Sequence, residues 1–318
     1  MVWDGASAAP GWPAGNGKMP STRTKPVLIA FGAGLVAAGL GFAFLGRTQP
    51  SRGPDAGANA AVSGPVAATR AAAASGALPA EIAPPPELSP IPPAPVAAPL
   101  PFRAGEALAY RVLFSKFGVK AATIETSVMA QRNFFGERAW HFRVTARTTD
   151  TTRLLFPLDD QFDSYTAVAG FTSLQYEMYL SEQGKQQTSR YRLTGESAGA
   201  PDNATAVRVP EGTRDAVGFL YALRAADWRD APVMRGPVFD GRRLYQAVAR
   251  MEIPDGAVEV QGVRIAASRI AVRLFDQGKE VTDTRLWVWI AKDAARAPVL
   301  IEAETPMGSG RVELLPSP

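Results

Sequence analysis

The sequence predicts a mostly β fold, an antiparallel open or partial β-barrel with one covering amphipathic helix, preceded by a single transmembrane helix. Three observations lead to this fold class. An uncharged apolar run occupies Val27 to Leu45, a Pro- and Ala-rich segment follows it, and many short stretches of alternating polarity fill the remainder. Many consecutive strands separated by turn residues are typical of a barrel, a partial barrel or a sandwich.

The apolar run predicts a membrane anchor at residues 27–46. Its 19 uncharged residues would form a helix about 28 Å long, close to the ~30 Å hydrocarbon core of a bilayer. Three basic residues precede the run and two follow it: Lys18, Arg23, Lys25, Arg47 and Arg52. This bias favours a cytoplasmic amino terminus, a bacterial inner-membrane location and a periplasmic domain. A cleaved signal peptide is the alternative, but the run is longer than the usual apolar region of a signal, and no close cleavage site follows it.

The segments on either side of the anchor have the composition of unfolded chain. Residues 1–26 predict a disordered cytoplasmic tail, and residues 47–101 predict a periplasmic linker of 55 residues that ends in a Pro-rich tract. Such sequences cannot bury a core. A flexible coil of this length spans about 40 Å, and full polyproline extension spans about 170 Å. The linker is therefore either a spacer that holds the domain away from the membrane or a passive tether.

Residues 102–318 remain for one folded domain, which is large enough for a single core. The chain contains no cysteine, which excludes disulfides, thiolate zinc sites, a cysteine nucleophile and a lipid-modified cysteine. Six Lys and Arg residues stand against four Asp and Glu residues up to Pro101, which leaves 28 against 26 in the domain. A domain so close to neutral is not expected to bind nucleic acid.

The domain is predicted to consist of successive antiparallel strands. Apolar residues alternate with polar or small ones from Leu108 to Phe114 and from Trp140 to Arg147, the pattern of half-buried strands. Further strands are predicted at residues 121–130, 161–168, 172–180, 186–193, 204–209, 243–253, 265–275, 281–290, 299–304 and 310–314. Turn residues separate them at 135–136, 182–184, 254–256 and 276–278.

One helix is predicted at residues 213–228. Thr213 can serve as its N-cap, and Asp215 stands in the first turn, where the helix dipole favours an acid. One face of this helix is apolar, with Ala216, Phe219, Leu220 and Leu223. The helix is therefore expected to cover one face or one mouth of the sheet.

Several ordered landmarks in this region carry a family resemblance. The domain opens with Phe102-x-x-Gly105-Glu106-x-Leu108-x-Tyr110, the helix contains Asp215-Ala216 and Leu220-Tyr221-x-Leu223-Arg224, and the last part contains Trp287-Val288-Trp289-Ile290, Asp293, Arg296-x-Pro298-Val299 and Pro306-x-Gly308-Ser309. In order and spacing, these resemble the bacterial envelope family of domain of unknown function 3108 over residues 102–318. The resemblance implies an exported β-rich domain similar in outline to the open barrels of periplasmic lipoprotein carriers. It implies no catalytic residues, and retention of an anchor would depart from members that are secreted with a cleaved signal.

Aromatic and basic residues are the best candidates for a ligand site. Leu286, Val288 and Ile290 fill one face of a strand while Trp287 and Trp289 occupy the other, so both faces need cover. This strand is either central, between the core and the helix, or it lines an apolar groove that accepts acyl chains. Five arginines at alternating positions or near Trp287 would flank such a groove and hold phosphate or carboxylate head groups: Arg190, Arg192, Arg269, Arg273 and Arg285. The alternative is a solvated face on which these arginines pair with acids on neighbouring strands.

The remaining titratable residues offer little catalytic chemistry. The single histidine, His141, lies on the polar face of its strand, so it is either a lone base or a sheet-paired side chain. Asp159, Asp160 and Asp163 form an acidic cluster for which a loop is favoured over a paired-carboxylate site or a calcium site. We therefore predict no catalytic residues, no metal ligands and no cofactor.

These observations favour a non-enzymatic, membrane-anchored envelope protein that binds a hydrophobic or lipidated ligand, such as a lipid or a lipoprotein, or an envelope protein partner. The predicted site is Trp287, Trp289, Arg190, Arg192 and Arg285. A structural interaction module that docks through its sheet edges is the first alternative, and an acid-pair hydrolase is the second. An apolar cavity would separate the binder from the module, and converging carboxylates would favour the hydrolase.

Overall fold

The computed structural model describes residues 99–114, 119–194, 204–305 and 308–316. Residues 1–98 lie outside these ranges. The predicted tail, the anchor and most of the predicted linker are therefore outside the described residues. Within the described ranges, no helix combines the length and the apolar character that a membrane crossing requires.

The described part of the chain consists of strands and two helices. The helices are α1, Asp150–Leu155, and α2, Ala216–Ala225. The strands are β1 Ala107–Phe114, β2 Val119–Val128, β3 Arg132–Phe134, β4 Glu137–Thr148, β5 Asp159–Ala167, β6 Ser173–Glu182, β7 Lys185–Thr194, β8 Thr205–Arg208, β9 Arg214–Asp215, β10 Val233–Phe239, β11 Leu244–Val260, β12 Val263–Asp276, β13 Lys279–Glu280, β14 Arg285–Ala291, β15 Pro298–Thr305 and β16 Gly308–Leu314.

All of these strands join one sheet. Its order is β8-β7-β6-β5-β4-β2-β1-β16-β15-β14-β12-β11-β10-β9, with β3 beside β4 and β13 beside β12. Neighbouring strands are antiparallel except at the two ends, where β8 runs parallel to β7 and β9 runs parallel to β10. The prediction of a mostly β, mostly antiparallel open sheet is confirmed.

The two faces of the sheet carry different side chains. On β4, Trp140, Phe142, Val144 and Ala146 point to the same side and enter the largest apolar cluster of the described residues. We call the side that carries this cluster the inner face and the opposite side the outer face. The alternation visible in the sequence therefore assigns most strand residues to a face, because successive side chains of a strand point in opposite directions.

The two ends of the sheet touch each other through short contacts. The backbone N–H of Ser173, at the start of β6, donates to the carbonyl of Thr213, next to β9, at 2.9 Å. The ring of Phe239 on β10 packs edge-on against Tyr191 on β7, with 5.2 Å between the ring centroids. Among the described strands the ladder stops at β8 and at β9, so the sheet is open in its hydrogen bonding although its ends are in contact.

Helix α2 differs from its prediction in its start and in its burial. Its N-cap is Asp215, whose carboxylate accepts the N–H of Gly218 at 2.8 Å, whereas Thr213 precedes the short strand β9. Each of its ten residues is buried. The helix lies over the sheet as expected, but the prediction that only one of its faces is apolar is wrong. A helix buried on all sides has apolar or small residues around most of its circumference, and the buried Arg224 of α2 has hydrogen-bond partners.

Close packing holds α2 against the inner face. The ring of Tyr221 stacks on Phe142 of β4, with centroids 3.7 Å apart and planes 6° apart. At the other end of the helix, a Cβ on Gly218 would lie 2.8 Å from the hydroxyls of both Ser173 and Thr166. Only glycine allows the first turn of α2 to approach β5 and β6 this closely.

Some short or irregular elements were not predicted. Helix α1 has six residues, too few to show a helical period, and β3, β9, β10 and β13 are also absent from the prediction. The predicted turn at residues 254–256 lies inside strand β11, where the pairing with β12 shifts register between Met251 and Gly256. Pro254 has no backbone N–H for the ladder, so a bulge is a favourable place for it.

Candidate functional site

The structure places the predicted site residues in two separate regions. Trp287, Trp289 and Arg285 lie on β14, and Arg190 and Arg192 lie on β7. Between these strands the sheet contains β6, β5, β4, β2, β1, β16 and β15. The five residues therefore do not form one groove, and each region has to be considered by itself.

The β14 region is covered by a hairpin. Trp289 is 8 % exposed, and its indole N–H donates to Glu302 Oε2 at 2.9 Å. On the outer face it packs with residues from the end of the β11–β12 hairpin and from the neighbouring strands: Ile253, Val258, Val260, Ile265, Ala267, Ala291, Val299, Leu300 and Leu314. Trp287 is half-buried. The cover expected for this strand is thus supplied by a hairpin and not by the helix.

The arginines near β14 have acidic partners. Arg285 is exposed and lies 3.7 Å from Glu304 on β15. Arg269 pairs with Glu252 at 2.9 Å, and Arg273 lies 3.5 Å from Glu280. The guanidinium of Arg269 also lies 5.5 Å from the ring centroid of Trp289. These pairs correspond to the alternative of a solvated face with acidic partners on neighbouring strands.

The β7 region belongs to a second outer-face cluster, which spans β4 to β7. The strand registers align two rows of residues, Arg143, Asp163, Glu177 and Arg190 in one row and His141, Tyr165, Gln175 and Arg192 in the next. We call these eight residues the outer polar patch. Asp163, His141, Glu177 and Gln175 are buried in it, although they face away from the large apolar core.

Asp163 is the centre of the hydrogen bonding in the outer polar patch. It accepts from His141 Nε2 at 2.5 Å, from Arg143 Nε at 2.8 Å and from Gln161 Nε2 at 2.6 Å. Burial by itself would raise the pKa of Asp163, but the hydrogen bonds from His141, Arg143 and Gln161 outweigh it and lower the pKa. Asp163 is therefore ionised at neutral pH, and its carboxylate can only accept the hydrogen bond from His141 Nε2.

Aromatic rings cover one side of the outer polar patch. Tyr165 lies between His141 and Phe134, with ring centroids 4.5 Å and 4.3 Å away and planes within 17° and 10°. Phe135, in the β3–β4 turn, lies under the guanidinium of Arg192 at 3.3 Å and is 52 % exposed. Arginine on an aromatic face is held by a cation–π interaction while its N–H groups stay available for a ligand.

Three buried nitrogens of the outer polar patch have no hydrogen-bond partner among the described residues: His141 Nδ1, Arg190 Nε and Arg192 Nη1. Arg190 Nε lies 3.8 Å from Glu177 Oε2, which is too long for a hydrogen bond. Burial also lowers the pKa of Arg192 from its usual range. Buried donors are almost always satisfied, so these unpaired N–H groups are the feature of the patch that requires an explanation.

The acidic cluster of the sequence is divided between the two faces. Its three residues lie on β5 and not in a loop, which corrects the prediction, and adjacent carboxylates point to opposite sides. Asp160 is on the inner face, where its Oδ1 accepts the N–H of Ser181 at 2.8 Å. Among the described residues its carboxyl group also adjoins that of Glu182. Burial, together with the charges of Glu182 and Asp159, raises the pKa of Asp160 to about 7. Among the described residues, no group of three or more potential metal ligands converges.

Sequence reasoning did not identify the outer polar patch as a unit. It selected Arg190 and Arg192, but it treated His141 and Asp163 separately and did not consider Phe134 and Phe135. The alternation of polar and apolar residues places His141 and Asp163 on the polar faces of consecutive strands. This pattern in the sequence could have indicated that the two residues share a face. The register that brings the two side chains within 2.5 Å is decided by the turns between strands.

The landmark residues of the sequence meet around one buried arginine on α2. Arg224 donates to Glu106 Oε1 at 2.7 Å, to the carbonyl of Ala295 at 2.8 Å and to that of Pro101 at 3.3 Å. It also lies over the ring of Phe102, at 5.4 Å. The start of the domain, the end of α2 and the β14–β15 turn are thus joined by one side chain.

A mostly antiparallel open sheet with a buried helix defines a β-rich domain of the kind that the landmark residues indicated. The chain belongs to the family described as protein of unknown function (DUF3108), whose profile matches residues 109–315. That description names no activity, so the function has to be inferred from the residues of this chain.

The matches to solved structures are remote in both structure and sequence. A β-barrel-like protein of domain of unknown function DUF1849 from Brucella abortus has a TM-score of 0.43 and 12 % identity, over 66 % of this chain and 94 % of that chain. A candidate lipoprotein from Parabacteroides distasonis has a TM-score of 0.29 and 6 % identity, over 67 % of this chain and 94 % of that chain. The comparison with curated proteins gave no match.

Proposed function

We propose that this protein is a non-enzymatic envelope protein that binds the anionic group of a lipid or lipidated ligand on its outer polar patch. In this proposal residues 27–46 anchor the chain in the inner membrane and the domain is periplasmic. The observation that supports binding is a pair of buried nitrogens on one strand, Arg190 Nε and Arg192 Nη1, that have no hydrogen-bond partner within the described part of the chain. Phosphate and carboxylate oxygens are the acceptors that guanidinium groups fit best.

The proposal places the ligand on the outer face because the inner face is occupied. In an open barrel an acyl chain would lie on the inner face, between the sheet and its cover. Here all ten residues of α2 are buried at that place, and Tyr221 stacks directly on Phe142. On the outer face, by contrast, Phe135 offers an exposed apolar ring next to Arg192.

The geometry of the titratable residues supports a binding role over the acid-pair hydrolase. Asp163 is surrounded by three hydrogen-bond donors, which favour its ionised form and its orientation. Asp160 is 3 % exposed on the inner face, and a catalytic carboxylate must reach a substrate and a water molecule. Asp160 and Asp163 point to opposite faces, so they cannot act together on one bond.

The test is calorimetric titration of the full-length protein with three amphiphiles of equal chain length: dodecyl phosphate, dodecanoate and dodecanol. We expect the two anions to bind and dodecanol to bind at least tenfold more weakly. A charged phosphate or carboxylate oxygen accepts a stronger hydrogen bond from a guanidinium group than an uncharged hydroxyl does. Arg192→Ala should weaken anion binding at least tenfold, and Arg192→Lys should restore part of it.

Arg285→Ala is the matched control, because Arg285 was predicted for the same role but is exposed and paired with Glu304. It should leave anion binding unchanged. Binding that depends on Arg285 and not on Arg192 would transfer the site to the β14 region. The absence of anion binding in the wild-type protein would contradict the proposal and favour the interaction module.

A further inference from the structure

Helix α1 carries two neighbouring leucines that point into solvent. Leu154 and Leu155 are 85 % and 82 % exposed, whereas the next residue, Phe156, is 5 % exposed and belongs to the large apolar cluster. The other strongly exposed large apolar side chains of the described residues, Phe135 and Val263, stand singly. Single exposed apolar residues are common on protein surfaces, but an adjacent pair at this exposure indicates a contact with another body.

The residues near helix α1 carry a small net positive charge. Arg147 and Arg153 both pair with Asp159, at 2.8 Å and 2.6 Å, so two cations share one anion. Lys120 is exposed on β2, the strand that supports α1 through the bond from Thr149 N–H to the Ala121 carbonyl. When Asp150 at the start of α1 is included, these residues carry three positive and two negative charges. An apolar tip beside a small net positive charge is complementary to an anionic lipid surface.

The size of the apolar surface argues against a protein groove as the occupant. A stable protein interface buries about 800 Å² on each partner, and α1 has six residues with two exposed apolar side chains. Insertion into a bilayer has no such minimum area: the affinity scales with the apolar area that is buried, and attraction to anionic lipids adds to it.

The length of chain before the domain allows this contact. The chain enters at Pro101, next to the carboxyl end of β2, since Val128 N–H bonds to the Glu106 carbonyl, whereas α1 adjoins the opposite end of β2. Strand β1, which pairs with β2, has eight residues, so these ends are about 26 Å apart. The 52 residues from Arg47 to Ala98 would span about 40 Å as a flexible coil.

We propose that Leu154 and Leu155 form a tip that inserts into the surface of an anionic bilayer and orients the domain on the membrane. The orientation rests on the proposed inner-membrane anchor, because the anchor keeps the domain within reach of that surface. In this arrangement the protein touches the bilayer at two places, the anchor and the α1 tip.

The absence of cysteine from the chain allows a direct test. Leu154→Cys in the full-length protein is labelled with an environment-sensitive fluorophore and reconstituted in vesicles of phosphatidylglycerol and phosphatidylcholine. We expect a blue shift and quenching by lipids with brominated acyl chains, both reduced in vesicles of phosphatidylcholine alone. Val263→Cys is the control: Val263 is 60 % exposed on the β11–β12 hairpin, and its label should stay in water.

The proposal is overturned if the label at 154 is not quenched, if labels at 154 and 263 are quenched equally, or if the label at 154 responds only in native membranes and not in pure lipid. Carbonate extraction tests the anchor separately. Release of the chain by carbonate would contradict the proposed anchor. Quenching of the label at position 154, measured before extraction, would still support insertion of the α1 tip.

Discussion

At the scale of single residues, Asp160 shows how the fold changes the chemistry of a side chain. Its carboxyl group lies on the inner face, with one oxygen bonded to the Ser181 N–H and the Glu182 carboxyl beside it. Burial raises its pKa from 3.8 to about 7. Between these two values the folded chain binds more protons than the unfolded chain, so the free energy of unfolding falls as the pH rises through this window.

Asp160→Asn is expected to remove this part of the pH dependence. Above pH 8 the variant should be more stable than the wild type by up to about 4 kcal/mol, at about 1.36 kcal/mol per pKa unit, and below pH 4 the two should be equal. Urea unfolding at a series of pH values measures the difference. Asn keeps the oxygen that accepts the Ser181 N–H, so that hydrogen bond is preserved.

Asp159→Asn serves as the control, because the pKa of Asp159 is lowered whereas that of the adjacent Asp160 is raised. The hydrogen bond from Arg153 lowers the pKa of Asp159, so its stabilisation is present at neutral pH and is lost as the pH falls. The Asp159 variant should therefore be slightly less stable than the wild type at neutral pH. An Asp160→Asn protein that is less stable than the wild type at pH 8 would contradict the assigned shift.

At the scale of elements, β14 shows how a strand can be covered on both faces without lying between two layers of helices. Its inner residues Leu286, Val288 and Ile290 belong to the large cluster, and Trp289 is covered by the β11–β12 hairpin. Gly256 in this hairpin makes room for the indole, since a Cβ there would lie 3.3 Å from the Trp289 ring. The bulges in β11 thus allow the end of the hairpin to pack over β14.

The two tryptophans of β14 should consequently differ in their effect on stability. Trp289→Ala is expected to cost about 3–5 kcal/mol, because it leaves a cavity under the hairpin and removes the hydrogen bond to Glu302. Trp287→Ala, at a half-buried position on the same strand, should cost about 1 kcal/mol. Chemical denaturation of the two variants measures the contrast. Unchanged stability in Trp289→Ala, with weaker lipid binding, would instead support a groove at β14.

At the scale of the whole domain, Arg224 joins segments that are far apart in the sequence. Its hydrogen bonds to Pro101, Glu106 and Ala295 fix the start of the domain and a late turn to the end of α2. Phe102 packs edge-on against four rings, those of Trp140, Phe142, Phe171 and Tyr221. The first residues of the described chain are therefore part of the core.

This packing sets the expected effect of truncation. A chain that starts at Pro99 should melt at nearly the same temperature as one that starts at Arg47, because an Ala- and Pro-rich segment buries little surface. A chain that starts at Ala104 lacks Pro101 and Phe102 and should lose about 3–5 kcal/mol. Differential scanning calorimetry of the three chains measures their melting temperatures and unfolding enthalpies. A large loss already at Pro99 would show that the predicted linker packs on the domain.

Much of the fold was predictable from local patterns. The period of two between Leu108 and Phe114, or between Trp140 and Arg147, identifies a strand and assigns its faces, because side-chain direction in a strand depends only on the backbone. The turns at Phe135-Gly136 and Gln183-Gly184 were predicted from composition, and all four residues have positive φ. The helix was also predicted, but its complete burial was not. The small residues outside its apolar face do not show in the sequence what packs against them.

By itself, the sequence determined the mostly antiparallel β class, the family and the face on which each alternating residue lies, because these depend on short-range periodicity and on ordered landmarks. Only the tertiary structure decided which strands are neighbours, and hence that Arg192 meets Phe135 while Trp289 lies far along the sheet under a hairpin. It also decided that α2 fills the inner face. The physical reason is that register and packing are set by contacts between residues distant in sequence, such as Arg224 with Glu106, and no local pattern records those contacts.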